Sequence, residues 1–455
     1  MLRALHFEIT KIYIQRLCSW MRTTTEEISK DEDWIPLSTL ERNMSQYAIS
    51  YLPLSFQAMT NSAMNQIAFM VQNLRSEATK SEDMLDELQG IQESVRLAFL
   101  NCFLDFAGYL ERIGGELSQS RSSEDSDLQN GYLHGVAREF PGVHSGGSVD
   151  DSHKRLLIVL SNIGYCKNEL SDGLYNKYKH IWLQDGEKDE ESSDIRDLIT
   201  SFSAVEEKVL ENYTYAKSHL IRAAASNYLL DSGVQWEGAP AVKGIRDATI
   251  ELLHCLVAVH AEVLSGAKPL LEKTLSILLE GLIDTFLSLF NEKKAKDFKA
   301  LDANGFCQLM LELEYFETVL HTYFSPEAHE AFKSLQGILL EKACESASES
   351  TENPGHHRRA TRGSEDAMAD DRSQGHTVSP DDLLALAHQY STELLDRELE
   401  RTRLNIACFM DSSPQSTSFT GSAKPAFSSY QGSVSSPSYR RQQTVGSPAH
   451  SRRRR

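Results

Sequence analysis

Nine apolar residues between Ile195 and Ala223 recur at steps of 3, 4, 3, 4, 4, 3, 4 and 3, a series that a β-strand cannot place on one face. They are Ile195, Leu198, Phe202, Val205, Val209, Tyr213, Ala216, Leu220 and Ala223, and their mean spacing of 3.5 favours near-antiparallel packing against neighbouring helices. Carried on to Leu230, such a helix spans roughly 54 Å at the ordinary helical rise.

The same period recurs along the chain. Leu2, Leu5, Ile9, Ile12, Leu17 and Trp20 predict an amphipathic helix at the start. A second helix is expected to begin at a cap on Ser38 or Thr39 and to end at Pro53. Phe56 to Leu74 and Leu85 to Ile113 predict two more, the latter stopping at Gly114-Gly115. Further helices are expected over Leu156 to Ile181, from Pro240 to about Leu264, over Leu270 to Lys294, and near 304–322 and 326–346. Ser379-Pro380-Asp381-Asp382 then supplies a cap, a proline at the first helical position and two acids for the last helix, with Leu383, Leu386, Tyr390 and Leu394 as its stripe. No strand pattern is present. The fold class is therefore all-α, with about ten helices in stacked bundles that can form an elongated rod, and no solenoid repeat.

Breaks in this period divide the chain. The expected organisation is an N-terminal helical bundle over 1–117, a flexible acidic, Ser/Gly-rich linker over 118–152, central helical bundles over 153–346, a flexible loop over 347–378, a C-terminal helix over 379–410, and a disordered Ser-rich basic tail over 411–455. A length of 455 residues exceeds what one core of a single small domain needs.

Charge and cysteine usage exclude several functions. Lys and Arg total 46 against 65 Asp and Glu, a net charge of −19, so the chain as a whole does not bind nucleic acid by counterion release. Seven cysteines without a CxxC pair suggest neither a zinc knuckle nor a disulfide framework, and fit a reducing compartment. The first residues are interrupted by Arg3, His6, Glu8, Lys11 and Arg16 and leave no signal-peptide core. Glu272, Lys273, Glu280 and Asp284 make the apolar stretch from Leu270 to Phe290 a core helix instead of a bilayer span.

No complete catalytic motif is present in the sequence. A di-iron bundle needs two Glu-x-x-His motifs, and only Glu251-Leu-Leu-His254 occurs; a helical metalloenzyme using Glu251 and His254 is the weakest alternative. Asp302-Ala-Asn304-Gly305 starts like a calcium loop, but its glycine comes too early and Leu313 stands where the bidentate Glu belongs, so it reads as a turn before a helix. His329 and Glu330 lack the second histidine of a zinc protease, since Lys333 occupies its place. Phosphate loops and nucleophile elbows are absent. No enzyme activity, cofactor or small-molecule substrate is expected.

The tail has a different character. Lys424, Arg440, Arg441, Arg452, Arg453, Arg454 and Arg455 stand against the single acid Asp411, a net charge of +6 that leaves −25 on the rest. Thirteen serines, with Ser-Pro at 413, 436 and 447, make this a phosphate-tunable arm for an anionic surface, each basic residue contributing ~1 kcal/mol there. An incidental solvated basic end is the plainer alternative.

Four long segments carry a resemblance. KRLLIVLSNIGYCKNELSDGLYNKYKHIW (154–182), YLLDSGVQWEGAPAVKGIRDATIELLHCLVAVHAEV (228–263), LDANGFCQLMLELEYFETVL (301–320) and SPDDLLALAHQYSTELLDRELERTRLN (379–405) resemble plant exocyst components of the Sec-five family, as does the run from His6 to Ile67. Together they cover most of positions 6 to 410. The resemblance implies a subunit that tethers post-Golgi secretory vesicles to the plasma membrane before SNARE-mediated fusion. It also implies a rod of the multisubunit-tether type, a hetero-oligomer with the other exocyst subunits, and a cytoplasmic protein recruited peripherally to plasma membrane and vesicles. Family members are longer and Met1 falls where they are mid-chain, so a truncated product, a shortened paralogue or a partial gene is expected. Partner-facing stripes are expected at Ile195, Leu198, Phe202, Val205 and Val209 and at Leu383, Leu386, Tyr390 and Leu394, with burial inside the chain's own bundles as the alternative. A helical scaffold or cytoskeleton-linking rod outside secretion is the alternative function.

Overall fold

A computed structural model describes residues 2–30, 32–41, 45–78, 82–119, 149–182, 193–231, 236–291, 301–352 and 379–410. The acidic run DGEKDEESS up to residue 192, the span 120–148, the span 353–378 and the tail 411–455, with all its arginines, lie outside the described residues.

Eleven α-helices and no strand occur among the described residues: α1 (Leu2–Glu27), α2 (Leu52–Ala78), α3 (Glu82–Gln119), α4 (Val149–Tyr165), α5 (Ser171–Trp182), α6 (Ser193–Ser226), α7 (Asp247–Gly266), α8 (Leu271–Asn291), α9 (Ala303–Leu320), α10 (Pro326–Glu352) and α11 (Pro380–Met410). The protein is all-α. One continuous apolar core runs from Phe7 to Phe409. Its spine is α6, which packs against α3, α4, α5, α7 and α8; α1 lies on α2 and α3, α10 on α8, and α11 on α9 and α7.

The register of α6 changes along its length. Ile195, Leu198, Phe202, Val205 and Val209 are buried as the spacing predicts, but from Val209 onward the buried face advances in fours through Tyr213, Lys217, Ile221 and Ala225. Leu220, expected inside, is 59% exposed. A straight helix drifts away from a 3.5-residue repeat, and here the core follows the helix. Burial of Lys217 is balanced by Glu262 of α7, 2.6 Å away, which also accepts a hydrogen bond from Tyr213.

Four sequence expectations fail for identifiable reasons. Gly114 and Gly115 do not stop α3, which continues to Gln119. A Cβ at Gly114 would stand 2.6 Å from Val209 Cγ2, so this glycine permits close approach of α3 and α6 instead of ending a helix. No helix starts at Ser38. Its side chain and Glu41 form the reciprocal bonds of a capping box, yet no helix follows among the described residues up to Ser50. Tertiary bonds hold the segment open: Ala48 N–H donates to Ser161 Oγ, Ser50 N–H to Asn162 Oδ1, and Leu37 N–H to the Ile49 carbonyl. Pro53 accordingly sits in the first turn of α2, where its missing N–H costs nothing.

The third failure is at Pro240, since α7 begins only at Asp247 and residues 236–246 form an irregular strap. The fourth concerns α1. Its buried face is Phe7, Ile14, Cys18 and Met21, whereas Leu5, Ile9, Ile12 and Trp20 of the expected stripe face outward. Two helices also shift to wider π turns, at Cys166–Leu170 between α4 and α5 and at Asn227–Asp231 after α6. The α10 helix runs on to Glu352, past the expected start of a loop at 347.

The last helix forms as expected. Asp382 N–H donates to Ser379 Oγ and the Ser379 hydroxyl returns a bond to Asp382 Oδ2. By length and composition α7 alone among the described helices could cross a membrane, but Leu252, Leu253, Leu256, Val259 and Val263 are packed in the core. The stretch Leu270 to Phe290 likewise buries Leu275, Leu278, Leu282 and Phe286.

Candidate functional site

Among the described residues, a dense polar arrangement clasps the 236–246 strap between α9 and α11. Glu312 of α9 is wholly buried and accepts from both the backbone N–H and the side chain of Arg246, at 2.8 Å and 2.7 Å. Tyr228 OH, at 2.6 Å, and Gln308 Nε2, at 2.8 Å, complete its shell. The guanidinium of Arg246 lies between two rings, 4.7 Å from the Tyr228 centroid and 4.6 Å from that of Trp236. Burial and the adjacent Glu312 charge push the Tyr228 hydroxyl far above its ordinary pKa, so it stays a donor.

Asp302 fixes the other end of the strap. Its Oδ1 caps α9 by accepting from Gly305 N–H, while Oδ2 accepts from Gly238 and Ala239 N–H. The residue is thus a helix cap and a strap anchor, with no calcium loop around it. From α11, Arg397 donates to the Lys243 carbonyl and Arg401 to that of Ile245, and Arg401 also pairs with the buried Glu398. Gly244, at φ 156°, lies so close to Glu398 that a Cβ would stand 2.5 Å from its Oε1. Every carboxylate here is engaged by donors of the chain itself. The arrangement orients helices and offers no open position for a substrate.

Other candidates resolve similarly. Glu251 and His254 stand on the exposed side of α7, and no three potential metal ligands group together among the described residues. A cavity of about 210 Å³ opens beside the π turn at Cys166–Leu170, but Lys167 is paired with Glu206, Asn168 with Tyr47 OH, and Ser161 with the Gly266 carbonyl. A groove of about 530 Å³ between α1 and α3 is bridged by Arg22 and Asp105 at 2.8 Å.

The stripe at Ile195, Leu198, Phe202, Val205 and Val209 is buried within the chain, with Phe202 edge-on to Phe103 of α3. Leu383 and Leu394 are buried as well, and Leu386 and Tyr390 are half-buried against the same core. Sequence spacing found a different surface, the outward face of α1, but placed it inward. There Leu5, Ile9, Ile12, Tyr13 and Trp20 are 42–58% exposed. Its signal was available, since α1 carries two apolar series on opposite sides.

The profile of the family described as exocyst complex component Sec5 matches residues 1–409. The chain belongs to the Sec5 family. Exocyst complex components SEC5A and SEC5B of Arabidopsis thaliana are 62% and 60% identical to it over 91% of this chain. Exocyst complex component 2 of Homo sapiens is 22% identical over 71% of the chain. The chain spans 37% and 38% of the lengths of the two Arabidopsis relatives. No solved structure matches it. Three of the segments that carry the Sec5 resemblance, 228–263, 301–320 and 379–405, meet in the strap clasp and contain the polar groups that fix how α9 and α11 pack.

Proposed function

We propose that the chain is a non-catalytic exocyst subunit that helps tether post-Golgi secretory vesicles to the plasma membrane before SNARE-mediated fusion. It would act by helical contacts with the other exocyst subunits, as a cytoplasmic protein recruited peripherally to vesicles and plasma membrane. The reading rests on the Sec5 match over residues 1–409. An all-helical core whose buried charges are each engaged within the chain supports a scaffolding role. Arg440, Arg441 and Arg452 to Arg455 would add contact with anionic membrane through their excess charge.

The test is affinity purification of the tagged chain at native expression, with mass spectrometry of what accompanies it and the full-length Arabidopsis relative as a parallel bait. Recovery of the other exocyst subunits with both baits is the expected result. Their recovery with the relative alone would overturn the proposal.

A further inference from the structure

Helix α1 is apolar on two opposite sides, and only one of them is covered by the described residues. Phe7, Ile14, Cys18 and Met21 are buried against α2 and α3, while Leu5, Ile9, Ile12, Tyr13 and Trp20 line the outward side. A helix with apolar residues on both sides belongs between two layers of protein. Contiguous exposed apolar surface of this kind marks an interaction site.

The chemistry of the missing layer follows from the charges. Arg16 lies within the outward stripe, is exposed, and forms no ion pair among the described residues. Its neighbours on the flanks are already neutralised, Lys11 by Glu87 of α3 and Arg22 by Asp105. A covering helix must therefore bring apolar side chains and a carboxylate opposite Arg16. A membrane-surface helix would instead carry many free Lys and Arg at its flanks, whereas the described flank cations of α1, Lys11 and Arg22, are paired. The Arabidopsis relatives share with this chain a stretch that makes up only 37% and 38% of their length, so most of their polypeptide lies outside it.

We infer that the outward face of α1 is the docking surface for an amphipathic, acid-bearing helix from the part of the longer Sec5 relatives that lies outside the shared stretch. The inference rests on family membership and on the geometry of α1, and goes beyond the tethering role.

The experiment uses the purified 455-residue chain and the separately expressed remainder of SEC5A, with affinity measured by titration calorimetry. Ile9→Asp combined with Ile12→Asp should weaken binding about tenfold or more, as should Arg16→Glu, with thermal unfolding unchanged because all three positions are exposed. Phe69→Asp, at a 67% exposed position on α2, should bind as the unaltered chain does. Absence of binding, or equal binding by the α1 variants, would overturn the inference. So would self-association of the chain, or its sedimentation with anionic vesicles, if the same α1 substitutions abolished it. Failure of the sister subunits to co-purify, with this binary binding intact, would remove only the exocyst-subunit reading.

Discussion

Arg246 and Glu312 are joined by side-chain bonds of 2.7–3.1 Å and a backbone bond of 2.8 Å, although 66 residues separate them in sequence. Removing the carboxylate leaves a cation that two aromatic rings hold in place without a counter-charge. Glu312→Ala should therefore destabilise the chain by about 3–5 kcal/mol, the usual cost of breaking a buried pair from one side. Urea denaturation followed by circular dichroism measures it, and a loss below about 1 kcal/mol would show the pair to be dispensable.

At the contact of α3 and α6, Gly114→Ala should cost about 1–3 kcal/mol by overpacking against Val209. Gly115→Ala, one residue on and with nothing within 4 Å of its Cβ, should instead stabilise by about 0.5–1 kcal/mol. Adding Val209→Ala to Gly114→Ala should give a total smaller than the sum of the two single changes. Paired denaturation curves decide both points.

His260 is buried on α7 with its ring edge-on to Phe409 at 5.5 Å, and Nε2 has no hydrogen-bond partner. Burial lowers its pKa below the ordinary 6.5, so the unfolded chain binds a proton at higher pH than the folded chain does. Stability is complete above about pH 6.5 and declines as pH falls from there towards the depressed folded pKa. His260→Leu should flatten this part of the curve. Identical pH slopes for the two proteins between about pH 6.5 and 5 would count against it.

Cysteine labelling should divide by burial. Removal from water raises the Cys18 and Cys307 thiols to about 11 and Cys102 to about 12, and raises Cys166 further. Iodoacetamide at pH 8 should modify the half-buried Cys255, Cys344 and Cys408 first, leaving the other four until denaturant is added. Peptide mass spectrometry gives the order, and early modification of Cys102 would contradict the burial.

Long apolar series were legible from the sequence because helix period and burial coincide in them. The first half of α6 is the example, and the cap at Ser379 was legible because its bonds are local. The strap at 236–246 was not legible, because its backbone partners Asp302, Gln308, Glu312, Arg397 and Arg401 are all more than 60 residues away and leave no local pattern. Ser38 and Glu41 make the same point, since their capping box forms while Ser161 and Asn162 draw the following backbone out of a helix. The outward stripe of α1 was misassigned for another reason. Spacing identifies an apolar side, but it does not say which of two such sides meets the core.

Because Arg397 and Arg401 grip the strap by its carbonyl oxygens, the side chain at the exposed Lys243 is unread by the helix that holds it. A substitution at Lys243 should therefore be tolerated while one at Gly244 should not, since its φ of 156° and the Glu398 carboxylate leave no place for a Cβ. Divergence in this segment should proceed residue by residue around an immobile point, and a tally of overall similarity would understate how strictly that one position is held.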